Sequence, residues 1–373
     1  MSTAEQTAGT TLLVGTRKGL FRLKPVPDED AWHLDGPRIA GYEVIHVCAA
    51  PRNPNLIHAA VSHPVWGAHI YRSIDGGGSW EPLAAAPHFA HDHFGTALKS
   101  IWFLAWSPRG EALYAGIDPA GLFVSRDAGR SWAAIDALNE HPTRDLWEPS
   151  RGIFAVHSIC IDQHKPAHMA VAVSAGGVYC SEDGGASWRP ANAGVRAENL
   201  PTQKPLAGHN VHRLIMHSRA PDRLYRQCYN GTYRSDDWGR SWIEITQGLP
   251  SDFGYAIATP PGDADTVFQI PESGSHMRTT VDGKLRVYRS RDAGRSWVSA
   301  SNGLPQEHAY VTVLREAMDT DDRGGVFFGT SGGHLFASTD DGDNWRLIAG
   351  FLPKILCVLA LPTPPPPTES ACE

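Results

Sequence analysis

Three histidines sit in short apolar stretches, Val44-Ile45-His46-Val47, Ala155-Val156-His157-Ser158 and Asn210-Val211-His212-Arg213. His157 and His212 each lie nine residues ahead of a turn proline, Pro166 and Pro221. The same count back from Pro54 lands on Ile45. His46 therefore joins the other two only if its strand bulges, because a one-residue slip turns every side chain of a strand to the opposite face. Three neutral imidazoles with an open position would suit Zn or Fe and leave room for water or substrate. The alternative is that these rings pack between neighbouring strands and hydrogen-bond to carbonyls. Two further segments collect polar groups. Pro87 to Phe94 carries His88, His91, His93 and Asp92, which could hold a transition metal or supply acid/base groups, or form a solvated loop pinned by Phe89 and Phe94. In His141 to Pro149, Arg144, Asp145 and Glu148 could contact a ligand while Trp147 stacks on a sugar; a surface salt-bridge cluster is the other reading.

The elements that position these residues are set by a repeat. A box of the form Ser-x-Asp-x-Gly-x-(Ser or Asn)-Trp occurs six times, with its aspartate at Asp75, Asp127, Asp183, Asp237, Asp292 and Asp340. The interval matches one small four-stranded sheet plus loops. Before each box run an alternating apolar stretch, a turn, a second strand, a Gly-rich turn and a third strand; a fourth follows the tryptophan. A seventh repeat, Leu12 to Leu34, lacks both the box and the first strand, and Lys354 to Leu361 resembles that missing strand. The expectation is an all-β, seven-bladed β-propeller of four-stranded antiparallel blades, closed by the C-terminal strand pairing in the N-terminal blade. It would span residues 11–361, between a flexible N-terminus (1–10) and a Pro-rich tail (362–373). Closure removes free sheet edges and couples the chain ends, so loss of the last strand should destabilise the whole ring. Within the box, the aspartate can accept backbone N–H groups that a tight turn leaves unpaired, the glycine permits positive φ, and the tryptophan anchors blade to blade. Six equivalent aspartates around a ring cannot all face one substrate, so none of them is a catalytic candidate.

The boxes resemble those of the Asp-box, or bacterial neuraminidase repeat, superfamily, which includes sialidases, xyloglucan-degrading enzymes, sortilin-type receptors and a photosystem II assembly factor. The resemblance covers nearly the whole chain and implies the fold more strongly than any one activity. Against the sialidase pattern, Pro37-Arg38-Ile39-Ala40 keeps Arg-Ile of an aromatic-Arg-Ile-Pro motif and loses both flanking residues. In that fold the boxes occupy one face, and the loops between second and third strands and between blades crowd the other, around the channel mouth. The resemblance thereby gathers Arg17, Trp66, Asp118, Tyr229, Asn230, Glu272 and Arg278 on the loop-rich face, with Trp147 and Arg151 from longer loops. Arg17, Arg151 and Arg278 could form an anion clasp. Asp118 and Glu272 could act as a hydrolytic carboxylate pair at a suitable separation.

Bulk properties narrow the functions. The formal net charge is −7, and no basic run is present, which disfavours nucleic acid. No apolar run is long enough to span a bilayer, and Met1 to Thr11 lacks an export signal, so a soluble cytoplasmic protein is expected. Six scattered cysteines, Cys48, Cys160, Cys180, Cys228, Cys357 and Cys372, read as reduced and structural. Neither a Gly-x-Ser-x-Gly nucleophile turn nor a phosphate-binding Gly loop before a helix occurs. Three functions stay open: a binder of a carbohydrate or small anionic ligand, with glycosidase-like hydrolysis; a metal-dependent enzyme on His46, His157 and His212; and a non-catalytic scaffold that holds a protein partner.

Overall fold

Alternating apolar residues between turn signals produce short antiparallel strands in a computed structural model, which describes residues 9–27, 29, 31–89, 97–147, 154–197 and 205–362. The N-terminal segment 1–8 and the Pro-rich tail from 363 onward lie outside the described residues. Seven separate four-stranded sheets result, each running in chain order from the axis outward except the first. Their innermost strands are Ile355–Pro362 in blade 1, Glu43–Ala50 in blade 2, Ser100–Trp106 in blade 3 and Val156–Ile161 in blade 4. Val211–His217, Phe253–Ala258 and Met318–Thr320 serve blades 5, 6 and 7. Blade 1 is completed across the chain ends: Ile355–Pro362 pairs antiparallel with Thr10–Thr16, from Thr10 opposite Pro362 to Thr16 opposite Ile355. The expected seven-bladed closure is therefore the observed one.

Each box is a closed hydrogen-bond unit at the turn into the outermost strand. At Asp183, Oδ1 accepts from the Ser187 N–H at 2.9 Å and Oδ2 from the Ser187 hydroxyl at 2.6 Å. The Ser181 hydroxyl donates to Asp183 at 2.8 Å while accepting the Gly185 N–H at 2.9 Å. Gly185 has φ of +92°, a conformation that side chains resist. Bonds of this kind hold the Asp127, Asp183 and Asp292 carboxyls down at about 2. Three of the six box tryptophans then stitch blades together: the indole N–H groups of Trp242, Trp297 and Trp345 donate to the carbonyls of Ala191, Ile245 and Ala300 of the preceding blade at 2.8 Å.

Close approach between blades demands small residues on the second strands. A Cβ on Gly116 would lie 2.2 Å from the Val156 carbonyl oxygen of blade 4, and one on Gly15 would lie 2.6 Å from that of Val44 in blade 2. Both approached residues stand just before an irregularity in an innermost strand, and those irregularities build the site.

Candidate functional site

The innermost strands share one defect. Their pairing skips a residue between Val44 and His46, Ile101 and Phe103, Val156 and Ser158, and Val211 and Arg213. In blade 1 it skips Leu356, and in blade 6 it skips Tyr255 and Ala256. The extruded residues are thus Ile45, Trp102, His157 and His212 in blades 2 to 5, with Leu356 and Tyr255 from blades 1 and 6. A bulge re-aims a side chain, and all of these except His157 line an axial cavity of about 520 Å³.

Blade 7 departs further. Backbone bonding there runs from Ser331 N to Thr312 O and then from Gly329 N to Ala317 O, both at 2.8 Å. Val313, Leu314, Arg315 and Glu316 lie between these two bonds, and the last three line the cavity. The mouth opens on the loop-rich face, since Ser174, Tyr229 and Arg278 reach it from connections between second and third strands, and Ser62 from the end of a second strand.

Aromatic and cationic groups dominate the wall. The Arg315 guanidinium carbon stands 4.9 Å from the Tyr255 ring centre and 5.7 Å from that of Trp102, in cation–π range. Its Nε and the Trp102 indole nitrogen are buried with no hydrogen-bond partner among the described residues. The His212 ring lies 4.6 Å from Tyr255 and 5.1 Å from Phe253. Arg278, with φ of +52°, donates through Nε to the Ser275 carbonyl at 3.0 Å, and its own carbonyl accepts the Thr312 hydroxyl. Lys354 completes a cationic sector from blades 6, 7 and 1.

The two carboxylates of the wall are already engaged. Glu43 accepts from Arg17 Nε at 2.8 Å. Glu316 pairs with Arg213 and lies 3.7 Å from His46 Nε2. Of the Arg213–Glu316–His46 group only Glu316 lines the cavity; His46, with the Phe103 ring 4.0 Å away, and Arg213 stand behind it, just past the bulges.

The histidine reading is corrected by this geometry. The strand of His46 does bulge, but the bulge extrudes Ile45, so His46 sits one layer below the ring occupied by His157 and His212. His46 Nδ1 accepts the Leu104 N–H at 3.3 Å. His157 Nε2 contacts the Val211 carbonyl at 3.0 Å, and His212 Nδ1 contacts that of Gly254 at 2.7 Å, so each ring bonds to the next blade. Burial pushes the His46 and His212 imidazoles down to about 3, and His157 falls well below the ordinary range for the same reason. Among the described residues no group of three or more His, Cys, Asp or Glu is placed to hold a metal ion.

The other expected residues divide. Tyr229 and Arg278 line the cavity, and Tyr229 shares a 2.7 Å hydroxyl contact with Ser275. Arg17 stands at the rim, bonded to Glu43, and Trp66 is 65% exposed on its hairpin turn beside wall residue Ser62. Asn230 is a brace, donating to the Arg196 carbonyl at 2.9 Å. Trp147 is only 5% exposed, and its indole donates to the Tyr179 hydroxyl at 2.6 Å, so it is core and no sugar platform. Arg151 lies outside the described residues, as do His91, Asp92, His93 and Glu148. Arg38 pairs with Asp35 at 3.1 Å on the outermost strand of blade 1.

Asp118 and Glu272 are buried behind the wall, in blades 3 and 6, and do not line the cavity. Glu272 accepts the Val313 N–H at 3.1 Å through Oε1 while Oε2 has no partner among the described residues, and burial pushes its carboxyl up to about 8. Burial also raises Asp118, against the pull of Lys99 4.0 Å away. Sequence reasoning missed Trp102, Tyr255, Arg315 and Glu316. Trp102 and Tyr255 are skipped in the pairing of their innermost strands, as His157 and His212 are, and this offset is a matter of register that no residue pattern announces.

No protein-family model matches the chain. An oligoxyloglucan-reducing end-specific xyloglucanase of Emericella nidulans is 25% identical over 279 residues, covering 70% of this chain and 30% of its own length. The chain therefore spans less than a third of that relative. A GH74 enzyme of Niastella koreensis superposes over 88% of this chain and 50% of its own, with a TM-score of 0.59 at 16% identity. YCF48 from Cyanidioschyzon merolae does so over 88% and 87%, with a TM-score of 0.52 at 14% identity. At such identities the solved structures establish the fold alone. The chain is a seven-bladed β-propeller that is similar in sequence, over part of their length, to xyloglucanases.

Proposed function

We propose that this propeller binds a carbohydrate in its axial cavity and acts as a glycosidase-like protein there. The observation that carries the reading is the wall itself: Trp102, Tyr229, Phe253 and Tyr255 offer ring faces beside hydroxyl and amide groups of Ser62, Ser100, Ser174 and Asn210. Sugars present the same combination of apolar faces and hydroxyl edges. The homology to xyloglucanases supports the same class of ligand. The six equivalent boxes support reading the chain as an Asp-box propeller.

For hydrolysis, the carboxylates available at the wall are Glu43 and Glu316 rather than Asp118 and Glu272. Glu316, paired with Arg213 at the cavity wall, is placed to serve as a base or nucleophile. The test is an assay of xyloglucan oligosaccharides and aryl glycosides with the unmodified chain and with Glu316→Gln and Glu43→Gln. Turnover that falls on the order of 100-fold in either variant, with binding retained, is the expected result. Binding without turnover would reduce the reading to a carbohydrate-binding propeller.

A scaffold is the second reading, supported by Phe351 at 99% exposure and by Trp66 and Tyr310, all beside cavity-lining segments on one face. It predicts a protein that co-purifies with the chain and is released by Phe351→Ser.

A further inference from the structure

The cavity is chemically lopsided. Its cations come from adjoining blades, Arg278 from blade 6, Arg315 from blade 7 and Lys354 from the approach to blade 1. Neutral hydrogen-bonding groups, Ser62, Ser100, Ser174 and Asn210, come from blades 2, 3, 4 and 5, while the Thr312 hydroxyl beside the cations is already bonded to the Arg278 carbonyl. We propose that the cavity takes a carboxylate-bearing sugar of the hexuronate class, its carboxylate toward Arg278, Arg315 and Lys354 and its hydroxyls toward the serines and Asn210. The inference rests on the carbohydrate reading and adds the charge and the orientation of the ligand.

Three observations bear it. First, the positive sector is uncompensated: among the described residues Arg278, Arg315 and Lys354 make no ion pair, while Glu43 and Glu316 are taken up by Arg17 and Arg213. This happens in a chain whose net charge is −7, so the sector runs against the molecule's own field. Burial pushes the nearby Glu272 carboxyl up to about 8, which weakens it as a counter-charge to Arg315. Second, Arg315 Nε is buried without a partner, a cost that a bound anion removes. A guanidinium flanked by the Trp102 and Tyr255 rings donates through its in-plane edge, which a planar carboxylate can fill with two bonds. Third, Arg278 is held in a left-handed backbone conformation by bonds to Ser275 and Thr312, a strain that is tolerated where it presents a group for use.

The test is calorimetric binding of D-glucuronate and digalacturonate, with D-glucose and cellobiose as neutral counterparts and D-glucose 6-phosphate as an alternative anion. The acids are expected to bind roughly 10-fold or more tightly than the neutral sugars, with the preference shrinking as salt rises. Arg315→Met should remove that preference, and Lys354→Met, at a partly exposed position, should reduce it several-fold with an unchanged melting temperature. Neutral sugars binding as well as the acids would overturn the inference and leave the carbohydrate reading standing. Tighter binding of glucose 6-phosphate would overturn the carboxylate. Binding of none of these sugars would overturn both.

Discussion

The two faces of the ring use carboxyl groups in opposite ways. On the box face each aspartate accepts several short local bonds that lower its carboxyl, to about 2 at Asp183 with Ser181 and Ser187. On the loop-rich face Glu272 has one bond, from Val313, and an oxygen without a partner among the described residues, and burial keeps it protonated up to about 8. The first arrangement is satisfied within a single box of chain and has nothing left to offer a ligand. The second leaves polar groups of different blades short of partners around one opening, which is where binding and catalysis gain most. Repetition marks the structural face and departure from repetition marks the other, seen most clearly in the long excursion of blade 7.

Both faces depend on closure, so the largest effect should come from opening the ring. Deleting Ile355–Pro362 strips the inner strand from blade 1 and takes Leu356 from the cavity wall. The expected outcome is loss of a cooperative melting transition, and a truncated chain that still melted cooperatively near the parent temperature would break the latch account.

The pH dependence of stability next probes the buried groups around the axis. His46 and His212 have folded values depressed to about 3 from an ordinary 6.5, and His157 is depressed too. Their contribution is complete above pH 6.5 and is lost as pH falls toward 3, because the unfolded chain takes up the protons first. Glu272 has the opposite sign: raised from 4.5 to about 8, it favours the fold below pH 4.5 and loses that contribution as pH rises through 8. Glu272→Gln should therefore stabilise the protein at about pH 9, on the order of a few kcal/mol, relative to its effect at about pH 5. Chemical denaturation at the two pH values reads this, and an equal effect at both would mean that Glu272 is not buried as described.

The smallest effect belongs to the boxes. Asp292→Ala removes bonds to Ser290 and Ser296 at one exposed turn. It should lower the melting temperature by a few degrees and leave carbohydrate affinity unchanged. An affinity change of roughly 10-fold or more, about 1.4 kcal/mol, would erase the division between the faces.

Much of this was legible in the residues, and the losses have identifiable causes. Blade count, strand order and the latch were readable because the box bonds and turn residues act within a few positions of one another. Tyr229 and Arg278 were placed at the mouth by their position in connecting loops, and the structure keeps them there. Trp147 failed because a loop tryptophan in a polar segment can still fold into the core, as the Tyr179 bond shows. Asp118 and Glu272 failed because a strand end near the mouth does not say which side of the sheet a carboxyl takes.

By itself the sequence determined the ring: its repeats encode the same sheet again and again, each turn carrying its own hydrogen-bond solution. Only the tertiary structure decided what the axis presents. One extra residue in a strand exchanges His46 for Ile45 at the cavity, and a longer excursion in blade 7 brings Arg315 and Glu316 to it. A strand alternates its faces with a period of two, so the identity of the exposed group hangs on a single-residue offset that is set by packing against the neighbouring blade.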